Sequence, residues 1–304
     1  MIVFVVRRLG AALVVAWLAV TLAFVVLRWV PGDALDATMV RVGASQAEIA
    51  ARRETLGLND PVAQQYAVYW ADLLRGDLGE SLVSGQSVAE VIAQNFGPTA
   101  ALASSALLFG VTFGMMLGVL ASVSPWRVGR YASEGTASLA LSTPVYWTAT
   151  LAIYVFSTLL GILPGAGGDS VRTLILPAAI LGFHTAGGIA QVTANSLREA
   201  AEQDFVRTAR AKGLPDLDVL DHILRVGLLP VVAVVALQFG FLLGGTVITE
   251  MIFVRRGLGQ VMLTAISERD YPVIQGLVAL SALAYSLINA LADVLYRWID
   301  PRVE

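Results

Sequence analysis

Cysteine is absent from the chain and histidine occurs only twice, at His184 and His222. Disulfides, thiolate catalysis and cysteine-ligated metals are therefore excluded, and two distant histidines offer no metal-ligand spacing. Charge is scarce as well. Charged residues make up 14% of the chain against 57% hydrophobic, and the mean hydropathy is +0.72. That balance is too apolar for a soluble domain of this length. The net charge of -3 argues against a general nucleic-acid surface. No Gly-x-x-x-x-Gly-Lys-Ser/Thr phosphate loop occurs, and the lone Lys212 follows neither a strand nor a glycine cradle. No acid pair or His-Ser constellation lies at catalytic spacing within the apolar runs, which disfavours an intramembrane enzyme.

What the chain has instead is long uncharged runs: Leu9 to Leu27, Val91 to Trp126, Gly135 to Gly168, Thr173 to Leu197, Val226 to Thr249 and Tyr271 to Ala292. Nearly all reach or exceed the ~20 residues a helix needs to cross a bilayer. They predict an all-α polytopic membrane protein of six spans with both termini on one side. A transmembrane barrel would show short alternating segments and is excluded. Arg7 and Arg8 before the first run also fit a signal peptide, but no small-residue cleavage pattern follows, so an uncleaved first span is expected.

Basic residues orient the bundle. Arg7, Arg8, Arg127, Arg130, Arg198, Arg207, Arg210, Lys212, Arg225, Arg297 and Arg302 fall on one side, and only Arg172, Arg255, Arg256 and Arg269 lie in short loops on the other. The positive side faces the cytoplasm. The expected divisions are 1–30 (N-terminus and first span), 31–95 (an extracytoplasmic helical subdomain) and 96–304 (the remaining transmembrane domain, with a cytoplasmic loop at 198–228).

In the long outer segment, Ser45 with Glu48 and Ser87 with Glu90 have capping-box spacing, and Asp60-Pro61 marks a third helix start. Three short helices are expected, one carrying Tyr66, Tyr69 and Trp70 as a docking surface. Span three holds Ser142-Thr143-Pro144 and span four follows Leu176-Pro177, where kinks are expected. His184, Gln191 and Asn195 share one side of span four and either bond to neighbours or line a passage. Gly244-Gly245 allows close helix approach in span five, and Asp293 is expected to be solvated or paired with Arg297.

The loop from Leu197 to Pro230 is too charged for hydrocarbon and has internal order. Asp204 is expected to cap a helix over Phe205 to Lys212, closed by left-handed Gly213. Pro215, Asp216 and Asp218 open a second helix, with Leu217, Leu220, Leu224 and Leu228 as its apolar stripe. Phe205 would anchor the first helix, while Ala209 and Ala211 keep it thin.

The run Asp204-Phe205-Val206-Arg207-Thr208-Ala209-Arg210-Ala211-Lys212-Gly213-Leu214, with Leu228-Leu229-Pro230 downstream, resembles the cytoplasmic coupling loop of ABC importer permeases. Set on Gly213, the family's Glu-Ala-Ala box falls on Arg207-Thr208-Ala209, where only the last alanine matches. Pro31-Gly32-Asp33, Leu56-Gly57-Leu58, Gly76-Asp77-Leu78-Gly79-Glu80-Ser81, Glu250 to Gly259, Arg269 to Gly276 and Asp300-Pro301-Arg302 are similar, in order, to the oligopeptide/dipeptide/nickel class, B-type subunit. Val254-Arg255-Arg256 departs from that pattern, and Arg255 and Arg256 are candidate contacts of an outer partner.

The resemblance implies a type I ABC importer permease fold in a prokaryotic inner membrane, multi-pass, with cytoplasmic termini. It implies a second homologous permease, two ATP-binding subunits that hold the ATP and magnesium, and an extracytoplasmic solute-binding protein. No cofactor is expected in this chain, and its partners include the lipid bilayer but no nucleic acid. The coupling contact would comprise Asp204, Phe205, Arg207, Thr208, Ala209, Arg210, Ala211, Lys212, Gly213 and Leu214. The alternative is an ion-coupled secondary transporter, which would place ionisable residues deep in the spans.

Overall fold

The computed structural model describes residues 2–29, 35, 39, 45–55, 57–168 and 170–299; the side chains of residues 2, 3, 244, 245 and 295–299 are not described. Pro31-Gly32-Asp33, Arg41, Leu56, the side chain of Arg297 and Asp300-Pro301-Arg302 lie outside those residues, as do the surroundings of Gly244 and Gly245.

In chain order the helices are α1 (Ile2–Trp29), α2 (Gln46–Thr55), α3 (Val62–Leu74), α4 (Val88–Val123), α5 (Arg127–Ser142), α6 (Val145–Ala152), α7 (Val171–Ala201), α8 (Asp204–Ala211), α9 (Asp216–Gly227), α10 (Leu229–Gly245), α11 (Val247–Ile252), α12 (Leu258–Glu268) and α13 (Tyr271–Ile299). A π-helical stretch, Ile153–Leu159, continues α6. Among the described residues β structure is limited to one isolated bridge, Glu80 to Ser87. Four helices, α1, α4, α7 and α13, are long and apolar enough to cross a membrane, and the number becomes six when each of two bent pairs counts as one span.

The bent pairs are the third and fifth expected spans. The third turns by 108° between α5 and α6, far more than a kink. Thr143 stands before Pro144 and is held extended (φ -92, ψ 137), because the proline ring excludes the helical region at the preceding residue. The fifth bends by 45° where α9 meets α10.

The pair α4 and α7 forms the centre. Gly110, Gly114 and Gly118 lie on one stripe of α4 at four-residue spacing, and α7 answers with Gly182, Ala186 and Ala190. A Cβ at Gly114 would stand 2.8 Å from the Ala186 carbonyl oxygen, and one at Gly182 would stand 2.6 Å from that of Ala106. Small residues are what allow two backbones this close, where lipid supplies no hydrophobic drive to association.

On the periphery, α1 packs on α13, and Arg8 pairs with Asp293 at 3.1 Å. Asp293 is thus joined to α1, not left solvated as one expectation had it. α4 has 36 residues, about 54 Å at 1.5 Å per residue, which exceeds a ~30 Å hydrocarbon core. Its first turns therefore project, and Val88 and Ile92 pack there with Val273, Ile274 and Leu277.

This corrects the third short helix. Ser87 opens α4 itself and makes no side-chain cap, and it stands opposite Glu80 in the isolated bridge. The box at Ser45 does form: Ser45 N donates to Glu48 Oε2 at 2.7 Å and Glu48 N to Ser45 Oγ at 3.3 Å. The Ser45 N–H and, at 2.8 Å, the Ser45 hydroxyl both donate to the Glu48 carboxyl and hold this exposed group below its usual range.

Candidate functional site

The charged loop folds into α8 and α9 at the end of the bundle opposite α2 and α3. α8 starts one residue earlier than expected. Gln203 is the extended N-cap (φ -72, ψ 154) and Asp204 joins the first turn, where its charge suits the positive helix end and lies 3.7 Å from Arg207. Gly213 is left-handed (φ 76) as expected. Leu214 N donates to Ala209 O and Gly213 N to Arg210 O, at 3.2 and 2.9 Å, the paired bonds of a Schellman stop.

Val206 and Ala209 are buried with Leu197, Ala200, Val219 and Ile223, and Phe205, Leu214 and Leu224 pack around them. Ala209 therefore points into this chain's own core, and the expectation that it thins a partner-facing surface is corrected. Phe205, too, packs on that core. The exposed face comprises Asp204, Arg207, Thr208, Arg210, Ala211, Lys212 and Gly213.

The stripe on α9 also differs. Its buried residues are Val219, Ile223 and Gly227, whereas Leu217 is 79% exposed. Gly227 decides this face. A Cβ there would stand 2.7 Å from Leu197 Cδ2 and 3.1 Å from the Ser196 carbonyl oxygen, so α9 lies flat on the end of α7.

The polar side of α7 divides in two. His184 is tied up: Nδ1 lies 2.7 Å from the Ala140 carbonyl oxygen and Nε2 lies 2.7 Å from Thr148 Oγ1. The carbonyl only accepts, so Nδ1–H donates to it, while Nε2 meets the Thr148 hydroxyl. His184 staples both arms of the Pro144 bend and does not line a passage. Gln191 and Asn195, one turn apart, do line a cavity of about 380 Å³, together with Ser133, Glu134, Ser138 and Arg198 among others. Arg198 is ion-paired with Glu134 and also donates to the Ala121 carbonyl oxygen at 3.1 Å.

At the other end, the aromatic residues of α3 face inward. Tyr66 Oη is 2.8 Å from Thr21 Oγ1, and Phe24 of α1 lies 5.2 Å from the Tyr66 ring and 5.6 Å from that of Tyr69. Burial pushes the Tyr69 hydroxyl up to about 12. Trp70 stacks edge-on against Tyr66. Tyr66 and Tyr69 hold the subdomain on α1, Trp70 packs on both of them, and the three are not an open docking surface. Arg255, 4% exposed, is buried as well. Its Nη1 lies 3.3 Å from Thr173 Oγ1, while Arg256 remains exposed.

Two buried carboxylates at this end went unread as anchors. Glu250 is fully buried; Oε1 accepts from Thr99 Oγ1 at 2.6 Å and Thr246 Oγ1 at 3.0 Å. Its Oε2 accepts from the N–H groups of Gly259 and Gln260 at 2.8 and 3.3 Å, which places the charge on the N-terminus of α12. Asp270 Oδ2 accepts from Ser81 Oγ at 2.5 Å and Oδ1 from Leu82 N at 3.1 Å, binding the subdomain to the start of α13. The available signal was an acid flanking an apolar run with glycines close behind it.

A bent span bordering a polar cavity, with a folded charged loop at one end of the bundle, gives the architecture of a helical membrane permease. Residues 110–304 match the family described as binding-protein-dependent transport system inner membrane component, and residues 1–103 match its N-terminal counterpart. The chain belongs to this family, and its recognition as an ABC importer permease of the peptide class stands over the ion-coupled alternative. It is 37% identical over 308 residues to the glutathione transport system permease protein GsiC of Escherichia coli (strain K12), covering 100% of this chain and 99% of that protein. The same protein of Salmonella typhi is 38% identical with the same coverage. Among solved structures, an amino acid ABC transporter with histidines superposes with a TM-score of 0.55 at 13% identity, over 69% of this chain and 94% of that one. The inward-facing MetNI methionine ABC transporter gives 0.54 at 16%, over 69% and 97%. At such identities these structures show the fold. The chain is thus a multi-pass inner-membrane permease.

Proposed function

We propose that this chain is one of two permeases of an ATP-driven importer of glutathione-like peptides. A homologous second permease completes the pathway, two ATPases carry the ATP and magnesium, and an extracytoplasmic binding protein delivers the solute. The chain itself hydrolyses nothing. Both termini, α8 and α9 lie in the cytoplasm.

The observation that carries this reading is the two-faced geometry of α8. Its inner face, Val206 and Ala209, is fixed to α7 and α9. Its outer face offers Arg207, Arg210 and Lys212 around Ala211, a cationic and sterically low ridge fitted to an acidic groove. Because α9 is seated on Leu197 through Gly227, a pull on α8 moves the end of α7 and the start of α10 together. The peptide class of the solute is supported by the full-length likeness to the glutathione permeases.

The cysteine-free sequence makes the test direct. In spheroplasts with an intact membrane, Lys212→Cys should resist a membrane-impermeant maleimide and react only after permeabilisation. In vesicles holding the complete complex, labelled glutathione should accumulate only with ATP and the binding protein. Labelling of the introduced thiol from outside would overturn the orientation, and ATP-independent accumulation would overturn the import mechanism.

A further inference from the structure

We infer that the cavity between α5 and α7 is a binding site for the solute itself, and that it takes a zwitterionic peptide by exchanging the Arg198–Glu134 ion pair for the charged ends of the solute. The inference rests on the import reading above and names the chemistry that the pathway recognises.

The cavity holds about 380 Å³, within the range of roughly 300–1,000 Å³ typical of small-molecule sites. Its polar groups are of two kinds. Gln191 and Asn195 are exposed to the cavity, one helical turn apart, and each presents both a donor and an acceptor. That pair matches a peptide group, which carries one N–H and one C=O, and ignores what side chains flank it. Arg198 and Glu134 line the same cavity with side chains 44% and 41% exposed. Neither charge is sealed in protein, so water or a solute can reach both.

A half-exposed pair of this kind is held only weakly and can be traded for equivalent partners at little cost. A peptide carboxylate takes the Arg198 guanidinium and a peptide ammonium takes the Glu134 carboxylate, leaving no charge uncompensated. Arg198 stays anchored during the exchange, because it also donates to the Ala121 carbonyl oxygen. Ser133 and Ser142 bond back to their own helix, to the carbonyl oxygens of Gly129 and Ser138, so neither hydroxyl is offered to the cavity, and beside Glu134 the wall between them adds only the uncharged Ser138. Charge recognition is therefore confined to the Arg198–Glu134 end, and the amides read the backbone.

The test uses the complete complex in nanodiscs without ATP or binding protein, with two probes: glutathione, and glutathione amidated at both carboxyl groups. Glutathione should bind the wild-type complex at least tenfold more tightly than the amidated probe. Arg198→Gln should remove most of that preference while barely changing affinity for the amidated probe. Gln191→Ala and Asn195→Ala should weaken both probes alike, since both retain the peptide groups. A pair with a purely structural role would lower both probes equally in Arg198→Gln, and that outcome overturns the inference, as does absence of binding to the wild-type complex. Uptake in ATP-loaded vesicles separates the two readings. Uptake without binding removes this site and leaves the importer, whereas binding without uptake keeps the site and removes the importer.

Discussion

Thr99 Oγ1 donates to Glu250 Oε1 at 2.6 Å across 151 positions of sequence, and the same hydroxyl accepts from Leu258 N at 2.8 Å. One side chain of α4 thereby completes the shell of a buried carboxylate and also receives an N–H from the first turn of α12. The short helices α11 and α12 are thus fixed to α4 by polar bonds to its buried Thr99.

Removing either partner should be costly. Thr99→Val keeps the shape but deletes a charge-assisted bond, worth about 1.5–3 kcal/mol, and also strips Leu258 N of its acceptor. Glu250→Ala leaves Thr99, Thr246 and two N–H groups without their acceptor and should cost more, while Glu250→Gln should fall between. Thermal melting of the purified protein in detergent checks the order. Equal melting temperatures for wild type and Glu250→Ala would show that the buried carboxylate holds nothing.

The α4–α7 contact makes a second, sharper prediction. A methyl at Gly114 meets the Ala186 carbonyl oxygen at 2.8 Å and Ile189 Cβ at 2.9 Å, and backbone oxygen cannot move aside. Gly114→Ala should force the helices apart at a cost of about 1–3 kcal/mol. Gly135→Ala on α5 has nothing within 4 Å and should be neutral or slightly stabilising through helix propensity. Comparing the two melting curves isolates packing from propensity.

How far the fold could be read in advance follows from what kind of physics fixed each part. Apolar runs report the cost of putting charge in hydrocarbon, so the spans were legible. Gly213 was legible because the need for a positive φ is local. The 108° bend was signalled by Pro144, but its size depends on His184 binding both arms, a contact between distant residues. The face of α9 was misread because four leucines outweighed Gly227, whose role is visible only when Leu197 lies against it. Similarly, Tyr66 and Tyr69 look like an exposed aromatic patch until Phe24 of α1 is placed beneath them. Gly110, Gly114 and Gly118 were in plain view at regular spacing and were not read as a packing stripe.

The two neighbouring arginines between α11 and α12 should behave oppositely. Arg255 is buried against Thr173 and Gly168, and the loop is further closed by Gly167 N donating to Phe253 O at 3.0 Å. Arg255→Ala should lower the melting temperature while a properly folded fraction binds the partner normally. Arg256 is exposed, so Arg256→Glu should leave melting unchanged and slow association with the binding protein several-fold, more at low salt than at high. Surface plasmon resonance on the reconstituted complex measures both. A stable Arg255→Ala protein with a large binding defect would mean that the buried arginine reaches the partner after all.

The proposed coupling helix, α8, offers the clearest separation of folding from function. Ala209 and Ala211 differ by two positions and lie on opposite faces of α8, one 9% exposed among Val206, Leu197 and Ile223 and the other fully outside. Ala209→Asp puts an unpaired charge into a closed apolar cluster, so the carboxylate must either stay protonated or pull α8 off the bundle. That variant should lose yield and melt at a lower temperature, and its loss of transport would then say nothing about the ATPase. Ala211→Trp adds bulk where only a partner could feel it. The protein should insert, melt and bind solute as the wild type does, yet uptake driven by ATP should fall at least tenfold because the ridge no longer seats. ATPase co-purification quantifies the lost contact directly. If Ala211→Trp transports normally while holding its ATPases, the ridge of Arg207, Arg210 and Lys212 is not where force enters, and the exposed Leu217 on α9 becomes the next surface to probe.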